Sequence, residues 1–205
     1  MKKINQILLV SAVSLPALSL AGPMPSTVIY TSNLSLNQVA HHLIPASGAA
    51  KSPHPFYKNF CAKHQTAVDY SHASGHAVMQ YTPTTGMVKF AIAYQGLSGP
   101  AIMAHFHIGG ASVGGPIVQT ICGNPPPGNK ALGYSALPAA GGKYCPSGRS
   151  GFVTGSFKVT GNDKVTNAST SAKIEKALAD SDIYINIHTC LNEPGELRGQ
   201  LKPAS

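Results

Sequence analysis

Apolar and polar residues alternate along most of this chain. STVIYTSNLSL, HAVMQYT, MVKFAIAYQGL, IMAHFHI, GPIVQTIC, GFVTGSFKV, DIYINIHTC and ELRGQL carry the period-2 pattern of strands that bury one face, and clusters of Gly, Pro, Asn and Ser separate them. About eight short strands so spaced predict an all-β fold, an antiparallel sandwich or barrel. TPTTG, between Tyr81 and Met87, has the composition of a hairpin connection. The period changes once. SAKIEKALAD, with Ser169 or Ser171 as its N-cap, puts Ile174, Ala177 and Leu178 on one side of a short helix.

Two stretches break the spacing. Residues 41–72 hold His41, His42, His54, His64 and His72 among Pro, Ser, Ala and Lys, and residues 122–150 are rich in Pro and Gly. Both are expected to be long loops, a kind of segment that in compact domains often carries function. The chain opens MKKINQILLVSAVSLPALSLAG, where Lys2 and Lys3 precede an apolar run from Ile7 to Leu20, and Ser19 and Ala21 supply small residues for cleavage. This layout predicts a secretory signal over residues 1–21. The run is shorter than a membrane span needs and is broken by Pro16. Residues 22–205 are then expected to form a single exported domain, secreted or periplasmic, with no transmembrane segment in the mature chain.

Charge narrows the choice of partners. Fifteen Lys and Arg against seven Asp and Glu give a formal net charge of +8, and without Lys2 and Lys3 the same count gives about +6. The lysines are scattered singly and no nucleic-acid-binding motif accompanies them, so the charge is read as solubility and nucleic acid is not an expected partner. Conventional hydrolase machinery is missing: there is no GxSxG and no HExxH, and seven acids leave little from which to choose a catalytic pair. GGASVGG joins two strands instead of opening a helix, so its glycines are expected to permit a tight turn or bulge and not to cradle phosphate. The four cysteines, Cys61, Cys122, Cys145 and Cys190, form no CxxC pair, and in an exported chain they are expected to bridge. Three pairings are open. Cys122 and Cys145 bracket an irregular segment that a disulfide would staple, which leaves Cys61 with Cys190.

The candidate chemistry lies on the polar faces of three strands. In IMAHFHIGG, Ile102, Ala104, Phe106 and Ile108 share one face, and Met103, His105 and His107 share the other. The strand rise sets the two imidazoles about 6.5 to 7 Å apart, close enough to bend toward one atom. In DIYINIHTC the faces are Ile183, Ile185 and Ile187 against Tyr184, Asn186 and His188; in GELRGQL they are Leu197 and Leu201 against Glu196, Arg198 and Gln200. If these strands share a sheet with their aliphatic faces inward, His105, His107, Asn186, His188, Glu196 and Arg198 emerge together on its outer face. Three histidines suit copper or zinc and leave one position open for water or a fourth ligand. The structural alternative is that each ring, donating and accepting at once, organises the sheet edge. Asn186, Glu196 and Arg198 would support the site, with Arg198 either steering an anion or paired with a carboxylate across the sheet.

The run ASGHAVMQYTPTTGMVKFAIAYQGLSG, then AHFHIGGASVGGPIV, and later YINIHTCLNEPGELRGQL resemble the CHRD domain, the module named from chordin and common in exported bacterial proteins. NLSLNQ at 33–38 resembles the domain's first strand. The match covers residues 73–120 and 151–201, so the His-rich residues 41–72 and the loop 122–150 look like insertions. The resemblance implies an immunoglobulin-like or superoxide-dismutase-like sandwich with one short helix and long loops. HxH on a sandwich strand with one later His is also similar, in part, to the copper-binding pattern of copper/zinc superoxide dismutases. That likeness implies a second metal site, for which His64, Asp69, His72 and His76 are the candidates, although they precede the HxH strand instead of following it.

Two functions remain as expectations. One is an exported, noncatalytic binding or envelope-associated module, its partner a protein or other envelope ligand, holding copper or zinc on three histidines. The other is a periplasmic copper oxidoreductase with dismutase-like chemistry, which needs redox-active copper at those residues and an open coordination position. The first is the leading expectation.

Overall fold

The computed structural model describes residues 26–38, 71–123, 145–159 and 171–204. They form one antiparallel sheet of nine strands: β1 (Val28–Ser35), β2 (Ser74–Thr82), β3 (Met87–Gln95), β4 (Ala101–Ile108), β5 (Ile117–Gly123), β6 (Gly151–Lys158), β7 (Ile183–Thr189), β8 (Leu197–Gln200) and β9 (Lys202–Pro203). The spatial order is β5-β4-β7-β8-β1-β2-β3-β6, with β9 beside β1. The expected all-β architecture is therefore present, and the sheet folds over on itself into two layers. They join at β8 and β1, where the register has a single pair, Ser35 with Arg198. Phe106 of β4 packs across the interior against Phe90 of β3 and Phe157 of β6, with ring centroids 5.3 and 5.7 Å apart. A buried ring of this size contributes about 1.5 to 3 kcal/mol by leaving water.

The two layers use the same alternation differently. Strands β2 and β3 are buried at every second residue and open to solvent between, as a sheet with one wet face should be. They meet in a hairpin closed by Pro83–Gly86, with Gly86 at φ 66°, as TPTTG implied. Strands β4 and β7 are buried on both faces nearly end to end. Both are interior strands of their layer, and segments 109–116 and 190–195 fold against the face that the alternation left polar.

Strand β5, at one edge of the order, carries two irregularities against β4, between Ala104 and His105 and between Phe106 and His107. Such bulges add twist to an edge strand. Cys122 of β5 is bridged to Cys145, just before β6, so this disulfide ties together the two ends of the strand order. Cys190 is also disulfide-bonded; its expected partner, Cys61, lies outside the described residues.

The helix α1 (Ser171–Ala179) buries Ile174, Ala177 and Leu178 against the core, as its 3.6-residue period requires. Its end is a left-handed turn. Ser181 sits at φ 58°, its N–H donates to the Leu178 carbonyl, and the Asp182 N–H donates to that of Ala177 at 2.7 Å. This is the Schellman arrangement, with Ser where Gly is usual. It turns the chain directly into β7, whose outer face carries the candidate site.

Candidate metal centre

Register explains how residues 105, 107 and 188 meet. In the β4–β7 pairing, Met103 is opposite His188, His105 opposite Asn186, and His107 opposite Tyr184. His188 is thus the diagonal neighbour of His105 on the same face, within reach of a long side chain. The ring centroids of His105 lie 5.6 Å from His107 and 5.2 Å from His188. One ligand atom from each of the three residues falls within 4.8 Å of the others, and all three rings are buried, with exposures of 2, 8 and 7 %.

The hydrogen bonds fix which nitrogens face inward. His107 Nδ1 donates to the Gly115 carbonyl at 2.9 Å, and His188 Nδ1 donates to the Glu193 carbonyl at 2.6 Å. In neutral rings this assignment leaves Nε2 of each with a lone pair. His107 Nε2 is buried and has no hydrogen-bond partner. His188 Nε2 lies 3.3 Å from His105 Nδ1, which in the neutral state donates to it. The centre therefore presents one buried, unpaired imidazole lone pair beside two imidazole nitrogens that share a single proton. With the His105 proton moved from Nδ1 to Nε2, an ion between the rings would meet three imidazole lone pairs, so the donor set fits copper or zinc.

Burial dominates the electrostatics. It pushes His107 down to about 4, against the Gly115 hydrogen bond and with the help of the Arg198 charge. Burial also lowers His188 to about 4, with His107 adding to the shift and the Glu193 hydrogen bond opposing it. His105 is lowered well below its ordinary value by burial and by both neighbouring histidines. Neutral rings are the form in which histidine binds a metal.

The supporting polar residues divide the work. Tyr184 stacks on His107 with centroids 4.8 Å apart and planes 5° from parallel, and the Arg198 guanidinium lies 3.5 Å from the Tyr184 centroid. Because β7 runs between β4 and β8, the tyrosine is held between imidazole and cation. Arg198 was expected to meet an anion or a carboxylate. It donates instead to the carbonyls of Val113 and Gly110 at 2.9 and 2.7 Å and to Gln200. These bonds, with the Gly115 N–H donating to the Tyr184 hydroxyl, clamp segment 109–116 over the histidines. Gly115 is required there, since a Cβ would stand 1.6 Å from the Ile108 carbonyl oxygen.

Glu196 does not join the histidines. Its carboxylate accepts from the Ser98 N–H at 2.6 Å, the Thr189 hydroxyl at 2.5 Å, the Asn192 amide at 2.9 Å and the Ser98 hydroxyl. Asn186 donates to the Pro194 carbonyl, and its amide fills the space a side chain at Gly195 would need. Both residues shape segment 190–195, the source of the carbonyl that orients His188. The two orienting carbonyls, of Gly115 and Glu193, left no mark in the sequence, because every residue has one.

The candidates for a second metal site are not brought to this one. His76 is exposed on β2 and its Nδ1 lies 3.0 Å from Asn33 Oδ1; His72 is exposed before β2. His64 and Asp69 lie outside the described residues. Among those described, the three buried histidines are the one group of His, Cys, Asp or Glu with metal-holding spacing.

A family model, the CHRD domain, matches residues 56–201. The chain belongs to the CHRD domain family. No curated protein and no solved structure matches it. The matched region carries all three histidines, Glu196 and Arg198, whereas β1 precedes it and still pairs along its length with β2. Among the described residues, no helix of this CHRD protein is long and apolar enough to cross a membrane.

Proposed function

We propose that this CHRD protein is an exported, envelope-associated module that holds a copper or zinc ion on His105, His107 and His188. The observation that carries the reading is the buried, unpaired Nε2 of His107 beside the close His105–His188 nitrogen pair. Unpaired buried polar atoms are rare and costly, and an ion at this point would satisfy the atom. The backbone carbonyls that hold His107 and His188 by their Nδ1 atoms are the usual outer support of imidazole ligands. Export is supported by the apolar run behind Lys2 and Lys3, over residues 1–21, and by cysteines that are bridged. Residues 22–205 then act as one domain.

The experiment is metal analysis of protein recovered from the export compartment, followed by titration of the metal-free protein with copper and zinc. Near-stoichiometric metal is expected. Substituting His105→Ala or His188→Ala should weaken binding by at least about 100-fold while leaving the strand-dominated circular dichroism spectrum in place. Retention of parental affinity by a triple His→Ala variant would refute the site. A superoxide assay on the loaded protein separates this reading from dismutase-like chemistry; the burial of all three rings favours holding the ion over turnover.

A further inference from the structure

We infer that this centre selects monovalent copper over divalent ions, with Met103 as its fourth donor; the inference rests on the three-histidine reading above.

The charge around the rings disfavours a divalent ion. The cost of placing an ion in a low-dielectric interior grows with the square of its charge, so a divalent ion costs about four times as much as a monovalent one unless anionic ligands offset it. The three rings provide no anion. The buried carboxylate nearest in sequence, Glu196, is committed to Ser98, Thr189 and Asn192 and lies outside the group of ligand atoms. A cation does stand close: Arg198, separated from His107 by the Tyr184 ring. Zinc and cupric sites of buried histidines commonly add a carboxylate or a hydroxide, and here the neighbouring charge has the wrong sign to assist.

A soft donor on the same face favours Cu(I). Met103 has the same parity on β4 as His105 and His107, is buried at 5 % exposure, and is paired directly across from His188. Residues so paired project from the same face with Cβ atoms about 4.5 to 5.5 Å apart. This register position sets Met103 beside His188 on the histidine face, so a thioether is within a side chain's reach of the cluster. Thioether sulfur is a soft ligand that favours Cu(I), whereas zinc gains little from it; imidazole serves either ion.

The test is an anaerobic competition on the metal-free protein, with copper held as Cu(I) by bicinchoninate and zinc held by a chromophoric chelator in a parallel series. Parent protein should bind Cu(I) at least about 100-fold more tightly than Zn(II). Met103→Leu, which conserves volume and hydrophobicity, should weaken Cu(I) by about tenfold and change Zn(II) by less than about twofold. X-ray absorption at the copper edge should show one sulfur among nitrogen neighbours in the parent and none in M103L. Equal or tighter zinc binding overturns the selection, and an unchanged Cu(I) affinity in M103L with no sulfur neighbour in the parent overturns the role of Met103. Either outcome leaves the three-histidine site standing, provided that H105A and H188A still lose metal. If the parent binds neither ion more tightly than H105A does, the three-histidine reading fails and this inference fails with it.

Discussion

Strands β3 and β4 are built from the same two-residue alternation and end in opposite situations. Along β3 the inward residues Val88, Phe90, Ile92 and Tyr94 are buried, while Lys89, Ala93 and Gln95 between them meet solvent. Along β4 the inward Ala104 and Phe106 are buried, and so are the outward Met103, His105 and His107. The difference is not in the strands. It lies in what covers them: segment 109–116, clamped by Arg198 and Tyr184, and segment 190–195, shaped by Glu196 and Asn186. A polar face becomes a site when neighbouring loops remove its water, because burial then keeps the imidazoles neutral and strengthens every interaction between them.

The largest effect that could break this contrast is acid. His107 and His188 have folded values of about 4, below the ordinary 6.5. Between those limits the unfolded chain binds more protons than the folded one. In the metal-free protein, stability should therefore be complete above about pH 6.5 and fall as the pH drops toward about 4, by on the order of 5 kcal/mol for the two rings together. Urea unfolding across this range measures it, and replacing all three buried histidines, His105 included, with Gln should flatten the slope. A slope that survives the replacement would mean that the buried face is not its source.

Next in size is the buried carboxylate. Glu196→Ala should cost about 4 kcal/mol, because Ser98, Thr189 and the half-buried Asn192 lose their common acceptor, and the first two remain buried. Lys89→Ala, on the wet face of β3, should stay within about 0.5 kcal/mol. Equal costs at the two positions would remove the distinction between the layers.

The disulfide acts at the two edges of the strand order. Removing it as the pair Cys122→Ala and Cys145→Ala frees the end of β5 from the segment before β6 and should cost about 3 kcal/mol, by the loop-entropy estimate for a separation of 23 residues. Hydrogen exchange should then rise first along β5 and only later in the β2–β3 hairpin. The smallest effect is at the turn into β7. Ser181 holds a positive φ that glycine adopts without penalty, so Ser181→Gly should stabilise the protein by about 0.5 to 1 kcal/mol in thermal or urea unfolding.

Much of the fold was legible. The period-2 runs mark the long strands, TPTTG marks the hairpin, and SAKIEKALAD marks the helix face, because alternation and the 3.6-residue period are local consequences of backbone geometry. The glycines of GGASVGG were legible as a tight turn, and the Cβ clash at Gly115 gives the reason. Less legible were Arg198, which clamps a loop through carbonyls instead of meeting a charge, and Glu196, whose partners Ser98 and Asn192 come from outside the strands. Sequence carries no local mark of a hydrogen bond to a distant backbone atom.

The order of residues along each strand settles which face is apolar and which side chains share the other: Met103, His105 and His107 on β4, Tyr184, Asn186 and His188 on β7. That follows from a repeat of two residues and needs no knowledge of neighbours. The tertiary structure alone decided that β4 and β7 lie side by side, in the register that sets His188 opposite Met103 and diagonal to His105. It also decided that loops would close over this face and leave one imidazole nitrogen buried without a partner. Strand order and loop closure depend on contacts between residues as far apart as 105 and 188, and the alternation along a single strand is the same whichever strand it meets.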